Sequence, residues 1–385
     1  MMDLDPLFQP FRHGTLNLAN RFVMAPMGRN FAQGGVIGEA YGEYYARRAR
    51  GGVALSVGEA AAINHPVAST DIMHANFFGE AALAAWRKVI EAVHAVGGAF
   101  MPQIWHAGTL RGPAGSDMMP NGALPPIGPS GWGEPLVNSF GWINAIDEAQ
   151  SLNAPMSETE IADVIAAFGQ AAADARAIGA DGVQIHAAHG YLVDQFFWDR
   201  TNRRKDGYNG GVATRTRFAA EVVRECRRRA GPDFPLVFRW SQWKQQDYSV
   251  KLAQDPHELE SFLAPLADAG VDIFDCSTRR YWEPEFEGSA LNLAGWTKKI
   301  TGKPTMTVGS IGLDRSNWLE GEAASISDAG IASIAPLAER VDAGEFDLVA
   351  IGRALIANPE MPLLLREGRA GELKAYSNEA LMSLD

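Results

Sequence analysis

Eight short runs rich in Val, Ile, Phe and Ala punctuate the chain, near residues 21–25, 53–57, 99–104, 182–186, 236–239, 272–276, 305–308 and 348–351. Each is followed by a polar or glycine-bearing turn, and segments of helical period fill most of the gaps, at 39–50, 80–96, 157–178, 214–230, 256–269, just after Asn292, at 328–343 and at 360–367. Continuous apolar runs of strand length are buried on both faces, as the strands of a parallel sheet are. Strand–helix alternation repeated to this extent predicts an α/β fold and favours a closed (β/α)8 TIM barrel, with an open eight-stranded sheet as the alternative. Local signals agree with the helices. Ser157 and Glu160 have the spacing of a capping box, and Gly179 supplies the stop.

A barrel with added loops can occupy all 385 residues, so one domain over 1–385 is expected, with 1–20 as an N-terminal cap and 366–385 as a C-terminal tail. Residues 7–18 read as a hairpin turning at His13-Gly14, placed to plug the bottom of the barrel. The stretch 107–155 is rich in Gly and Pro, has little periodicity and follows the third strand. A loop of that length on the active face of a barrel predicts a lid over a ligand. The formal charge of −12 disfavours a general affinity for nucleic acid, although a local basic pocket for one phosphate stays compatible with it. Cys226 and Cys276 are too few for a disulfide framework, a four-cysteine zinc site or an iron–sulfur cluster. The first ten residues lack the features of a signal peptide and no apolar stretch approaches a membrane span, so a cytoplasmic protein without a membrane partner is expected. Monomer and homo-oligomer are both compatible with the sequence.

Barrel geometry sends the residues at and just after each strand end to one mouth. Here these are Pro26, Met27 and Gly28; Ala60; Gln103, Trp105 and His106; His186, His189 and Tyr191; Arg239; Gly309 and Ser310; Gly352 and Arg353. Gly309-Ser310 and Gly352-Arg353 follow strands seven and eight, where barrels commonly bind phosphate, and pair glycines that let N–H groups approach an anion with a guanidinium fork. Either glycine alone could simply make a βα turn. His186, His189 and Tyr191 put two imidazoles on one strand end, three positions apart and able to face one small oxygen, with a phenol nearby. The structural alternative is a set of satisfied core residues, and no third histidine or carboxylate stands at metal-ligand spacing.

Asn20-Arg21-Phe22-Val23-Met24-Ala25-Pro26-Met27, Gln103-Ile104-Trp105-His106-Ala107-Gly108, His186 to Tyr191, Arg239 and Ile351-Gly352-Arg353-Ala354-Leu355-Ile356-Ala357-Asn358-Pro359 occur in the order found in the old yellow enzyme family. The resemblance runs from about residue 7 to 366. It implies an FMN across the barrel mouth, with NADPH or NADH as reductant and a small electron-poor alkene as substrate. By similarity Gly309, Ser310, Gly352 and Arg353 hold the phosphate, Gln103 binds the pyrimidine, Arg239 lies near N1 and O2, and Pro26, Met27, Gly28 and Ala60 border the ring. His186 and His189 resemble the pair that binds the substrate oxygen, Tyr191 the proton donor and Trp105 a substrate wall. The resemblance implies a ping-pong transfer of hydride through flavin N5 to an α,β-unsaturated carbonyl or nitro compound.

Departures from the family pattern are visible. Gly28 stands where a Thr or Cys usually bonds the flavin O4, and Thr109 stands where many members have arginine, leaving Arg111 as a substitute of undetermined role. The segment 314–331 is longer than usual, and 279–283, Arg-Arg-Tyr-Trp-Glu, could shape either the pocket or an oligomer contact. Two other functions compete with the flavoenzyme: a flavin-independent phosphate-binding aldolase or isomerase, which would want a lysine or carboxylate base at a strand end, and a non-catalytic FMN-binding sensor, which would not need a proton donor.

Overall fold

Alternation along the strands turns Val23, Leu55, Met101, Val237, Ile273 and Leu348 to a common interior, where they pack into one apolar cluster. The strands that carry them close on themselves. In the computed structural model, which describes residues 3–111, 119–131, 154–313 and 334–385, the chain order is β1 (Phe11–His13), β2 (Leu16–Leu18), β3 (Phe22–Met24), β4 (Leu55–Ala62), β5 (Ala99–Trp105), β6 (Ile127–Gly128), β7 (Ala154–Pro155), β8 (Val183–His189), β9 (Leu236–Lys244), β10 (Ile273–Ser277), β11 (Thr305–Val308) and β12 (Leu348–Ile351). Strands β3, β4, β5, β8, β9, β10, β11 and β12 form the closed barrel. Its seam is the parallel pairing of β12 with β3, which sets Val349 opposite Phe22 and Ile351 opposite Met24.

The outer residues of the strands meet the helices. Helix Glu158–Ala177 begins at the expected capping box, in which Glu160 N–H donates to Ser157 Oγ and Ser157 N–H to Glu160 Oε2. Helix Pro256–Ala269 starts at Asp255, whose carboxylate accepts from His257 and Glu258 N–H, and Asn292 caps Leu293–Thr301. The expected helix at 214–230 is two pieces, Val212–Arg215 and Arg217–Ala230. Thr216 breaks it by turning its hydroxyl back onto Ala213 O at 2.6 Å. Of the segment 328–343 the described part contains Ala335–Asp342, and its beginning lies outside the described residues.

The hairpin β1–β2 is antiparallel, with His13 opposite Leu16. Phe11, Leu16 and Leu18 join the same interior cluster as Leu55, Val237 and Leu348, so the hairpin plugs the lower end of the barrel. At the other end β8 and β9 run three and five residues beyond the apolar runs that announced them, to His189 and Lys244. A register shift between Ala187 and His189 brings His189 opposite Lys244. Buried Ser241, Gln242 and Lys244 continue β9 as a strand without continuing its hydrophobicity.

Candidate active site

Above the apolar floor the inward positions become polar. Gln103 Nε2 donates to Gln184 Oε1 at 2.6 Å, Gln184 Nε2 to Asp275 Oδ2 at 2.9 Å, and Arg239 Nη1 to the same oxygen at 2.7 Å. Four strands are thereby joined side chain to side chain across the barrel. Burial pushes the Asp275 carboxyl up, against the pull of Arg239 and Gln184, and its Oδ1 is buried without a partner. An orphaned acceptor beside a fixed guanidinium and two amides suits a planar ligand carrying both donors and acceptors.

The next layer carries the reactive groups. The ring centroid of His186 is 5.1 Å from that of His189 and 5.0 Å from that of Tyr191. Trp105 meets Tyr191 edge-on at 5.2 Å, and Trp243 stacks on His189 at 4.5 Å. Burial drives both imidazoles well below their ordinary range. The Arg239 charge adds to this at His186; at His189 the additions come from His186, Arg239, Lys244 and Arg279. Both rings are therefore neutral near pH 7. Ala188 N–H donates to His186 Nδ1 at 3.4 Å, which leaves the proton of that ring on Nε2 as a donor. Burial raises the Tyr191 phenol above its usual value, with a Gln245 hydrogen bond pulling the other way, so the phenol keeps its proton at neutral pH.

This arrangement depends on a strained turn. His189 has φ 66° and Gly190 φ 80°, and a Cβ on Gly190 would stand 1.9 Å from Gln246 Oε1. Asp194 Oδ2 accepts from Gly190 N–H at 2.6 Å, while Gln195 and Gln246 donate to Gly190 O at 2.7 and 3.2 Å. Lys244 Nζ in turn holds Asp194 Oδ1 at 2.5 Å, both side chains being fully buried.

A cavity of about 370 Å³ opens beside these groups and reaches across to β11 and β12. Of the residues expected at the site, Met27, His189, Arg239, Gly309, Ser310, Gly352 and Arg353 line it. His186 adjoins it through its ring contact with His189, Tyr191 through His186 and Trp105 through Tyr191, and Gln103 reaches Arg239 through Gln184 and Asp275. Pro26, Gly28 and Ala60 are not among its lining residues; Pro26 and Gly28 flank Met27, and Ala60 pairs with Gln103 across β4 and β5. A Cβ on Gly309 would lie 2.4 Å from Thr278 Oγ1 and 2.9 Å from Thr278 O, and one on Gly352 would lie 3.0 Å from Met27 Sδ, so both turns are built close to their surroundings. Arg353 is depressed chiefly by burial, with the Arg279 cation adding to the effect. A desolvated guanidinium among tight turns fits an anionic phosphate. The parts present therefore suit a flavin mononucleotide. Among the described residues no three His, Cys, Asp or Glu side chains are grouped to hold a metal ion.

Sequence reading overlooked several residues of this site. Gln184 and Asp275 stand as polar residues inside otherwise apolar runs, a signal that was available. Trp243, Gln245 and Tyr248 lie beyond the point where β9 ceases to look like a strand, and Arg279 splits from its neighbours, lining the cavity while Arg280 pairs with Glu283 at 2.8 Å. Glu59 is another. Its buried carboxylate accepts from Arg29 and Asn30 N–H at 2.5 and 3.2 Å and from the Tyr41 hydroxyl at 2.7 Å, fixing the loop that carries Met27 and Gly28. Arg111 turns back on its own loop, donating to the carbonyls of Pro120, Asn121 and Leu124. The rest of the expected lid, 112–118 and 132–153, and the long segment 314–331 lie outside the described residues.

Residues 6–372 match the model of the NADH:flavin oxidoreductase / NADH oxidase family. The chain is 33% identical over 378 residues to the NADH oxidase of Thermoanaerobacter brockii, an alignment covering 96% of this chain and 52% of that protein. It thus spans about half the length of that relative. Against 12-oxophytodienoate reductase 2 of Arabidopsis thaliana it is 31% identical over 375 residues, covering 93% of this chain and 87% of the relative. The structure of morphinone reductase in complex with tetrahydroNAD superposes with a TM-score of 0.77 at 26% identity, covering 97% of this chain and 93% of the other. With a family model matched over nearly all of its length and the barrel that model's members share, the chain belongs to the NADH:flavin oxidoreductase / NADH oxidase family, of which the old yellow enzymes are part.

Proposed function

We propose that the protein is an FMN-dependent NAD(P)H oxidoreductase that reduces the activated C=C bond of α,β-unsaturated carbonyl or nitro compounds in two alternating half-reactions. When bound, FMN would accept a hydride from NADPH or NADH and deliver it to the β-carbon of the alkene. Gly309, Ser310, Gly352 and Arg353 would hold its phosphate, Gln103 and Arg239 its pyrimidine edge, and Pro26, Met27, Gly28 and Ala60 its ring. His186 and His189 would bind the substrate oxygen as neutral donors and stabilise the negative charge that grows there. Tyr191 would give its proton to the α-carbon, and Trp105 would wall the substrate against it.

The observation that carries this reading is the convergence of two neutral imidazoles and a protonated phenol, the rings of His189 and Tyr191 centred 5.1 and 5.0 Å from that of His186, beside a cavity that ends at Arg353. A Schiff-base aldolase would need a lysine facing the cavity, whereas Lys244 at the end of β9 is fully buried on Asp194, and a sensor would have no use for the phenol's proton.

Purified protein saturated with FMN should be yellow, should bleach anaerobically with NADPH or NADH and should regain its colour with cyclohexenone. Tyr191→Phe should leave the bleaching rate nearly unchanged and slow the recovery by roughly two to four orders of magnitude, the usual scale of a lost general acid. Equal slowing of both half-reactions would remove Tyr191 from the proton-donor role. A protein that takes up no FMN would sink the flavoenzyme reading altogether.

A further inference from the structure

Three arginines line the candidate-site cavity, Arg239, Arg279 and Arg353, and no carboxylate does so among the described residues, in a chain of formal charge −12. Arg239 is paired with Asp275 at 2.7 Å. Arg279 and Arg353 approach from separate elements, one following β10 and the other following β12. The guanidinium carbon of Arg279 lies 3.9 Å above the ring of Tyr248 and 5.8 Å from that of Trp243, and that of Arg353 lies 6.0 Å from the ring of Tyr376.

The backbone beneath Arg279 is tied to the turn that carries the glycine cradle. Thr278 donates to Val308 O from its N–H at 2.9 Å and from Oγ1 at 2.8 Å, Ser310 Oγ donates to Arg279 O at 2.9 Å, and Tyr281 N–H donates to Gly309 O at 3.2 Å. The base of Arg279 is thus fixed relative to Gly309 and Ser310. Its side chain is laid along an aromatic face that limits its freedom.

We propose that Arg279 and Arg353 form a two-guanidinium clamp for the doubly charged end of a phosphomonoester, which makes Arg279 a residue that selects phosphorylated flavin over the free vitamin. The inference rests on the flavin reading of the site and adds to it a ligand outside the turns after β11 and β12. A phosphomonoester carries about −1.5 to −2 charges near neutral pH, and two guanidinium forks match that charge as well as its array of oxygens. Riboflavin offers neither.

The test titrates the apoprotein with FMN and with riboflavin, following the quenching of flavin fluorescence, in the wild type, Arg279→Gln and Arg279→Lys. Loss of one charge-assisted contact should raise the Kd of Arg279→Gln for FMN by about ten- to a hundredfold, with the riboflavin Kd held within about twofold, and Arg279→Lys should recover part of the preference for FMN. The riboflavin titration reports whether the ring site is intact, so a misfolded variant is recognised by losing both ligands. If Arg279→Gln weakens both flavins equally while it unfolds like the wild type on heating, or changes neither, the clamp is overturned and the flavoenzyme reading stands. A wild-type apoprotein that binds neither flavin overturns both.

Discussion

Gly28 is the residue at which this chain departs most informatively from the family pattern. Its backbone is ordinary, it is exposed, and a Cβ there would meet only Asn30 Oδ1, at 3.4 Å. A Cβ would therefore be tolerated, and the backbone at this position does not demand glycine. Should the hydroxyl of a threonine there reach the flavin O4, it would donate to an oxygen that gains charge on reduction. One such hydrogen bond is worth about 1 kcal/mol, or about 20 mV for a two-electron couple. Gly28→Thr is accordingly expected to raise the midpoint potential of the bound flavin by that amount, as read by equilibration with a reference dye. An unmoved or lowered potential would show that the missing donor is not what tunes this flavin. The turns at Gly309 and Gly352 are different. Thr278 and Met27 crowd Gly309 and Gly352, so the same kind of substitution there would displace neighbours.

At the scale of elements, the turn between β8 and the short helix Leu192–Phe197 does most to shape the site. It places His189 and Tyr191, and it is supported from beneath by Asp194 and Lys244. Burial pushes the Asp194 carboxyl up to about 6, against the attraction of Lys244. Replacing Lys244 by Met strands that carboxylate in the interior, which should cost about 3–5 kcal/mol of stability. The double variant Asp194→Asn, Lys244→Met removes both charges while keeping an oxygen for Gly190 N–H, and most of the loss should be regained. Urea denaturation of the three proteins checks this, and a double variant no more stable than Lys244→Met would deny the pair its supporting role. Little of this turn was legible in the sequence. The eight barrel strands announced themselves because parallel strands buried on both faces read as unbroken apolar runs, and the hairpin and capping box carry local signatures. The polar ends of β8 and β9 did not, because Ser241, Gln242 and Lys244 look like loop residues until their partners are known. The site residues that were legible are those at the ends of apolar runs. Gln184 and Asp275 are marked in the sequence only as polar residues inside apolar runs, and their roles, like that of Glu59, are legible once the barrel is closed and their hydrogen-bond partners stand opposite.

For the molecule as a whole, buried histidine links stability to pH. His106 is fully buried, accepts from Gly108 N–H through Nδ1 at 3.0 Å and faces His65 Nδ1 at 3.0 Å through Nε2; burial above all, then His65 and Arg111, holds its pKa well below the ordinary range. Unfolding frees the ring to take up a proton below about pH 6.5. The unfolded state then binds more protons than the folded one, so this group's contribution is complete above that pH and declines as the solution is acidified towards the folded pKa. Asp194, Glu59 and Asp275, all shifted upwards by burial, act with the opposite sign. The informative quantity is therefore a difference. Between about pH 6 and 5 the unfolding free energy of His106→Gln should fall less steeply than that of the wild type, by about 1.4 kcal/mol per pH unit, as measured by denaturant titration across that interval; parallel slopes would count against a neutral His106. The hairpin has a consequence of another kind. With Phe11, Leu16 and Leu18 stoppering one end of the cylinder, the described residues leave the opposite mouth as the way in. If the proposed reaction holds, an electron donor and an electron acceptor sharing that doorway would have to take turns, so each in excess would keep the other waiting outside.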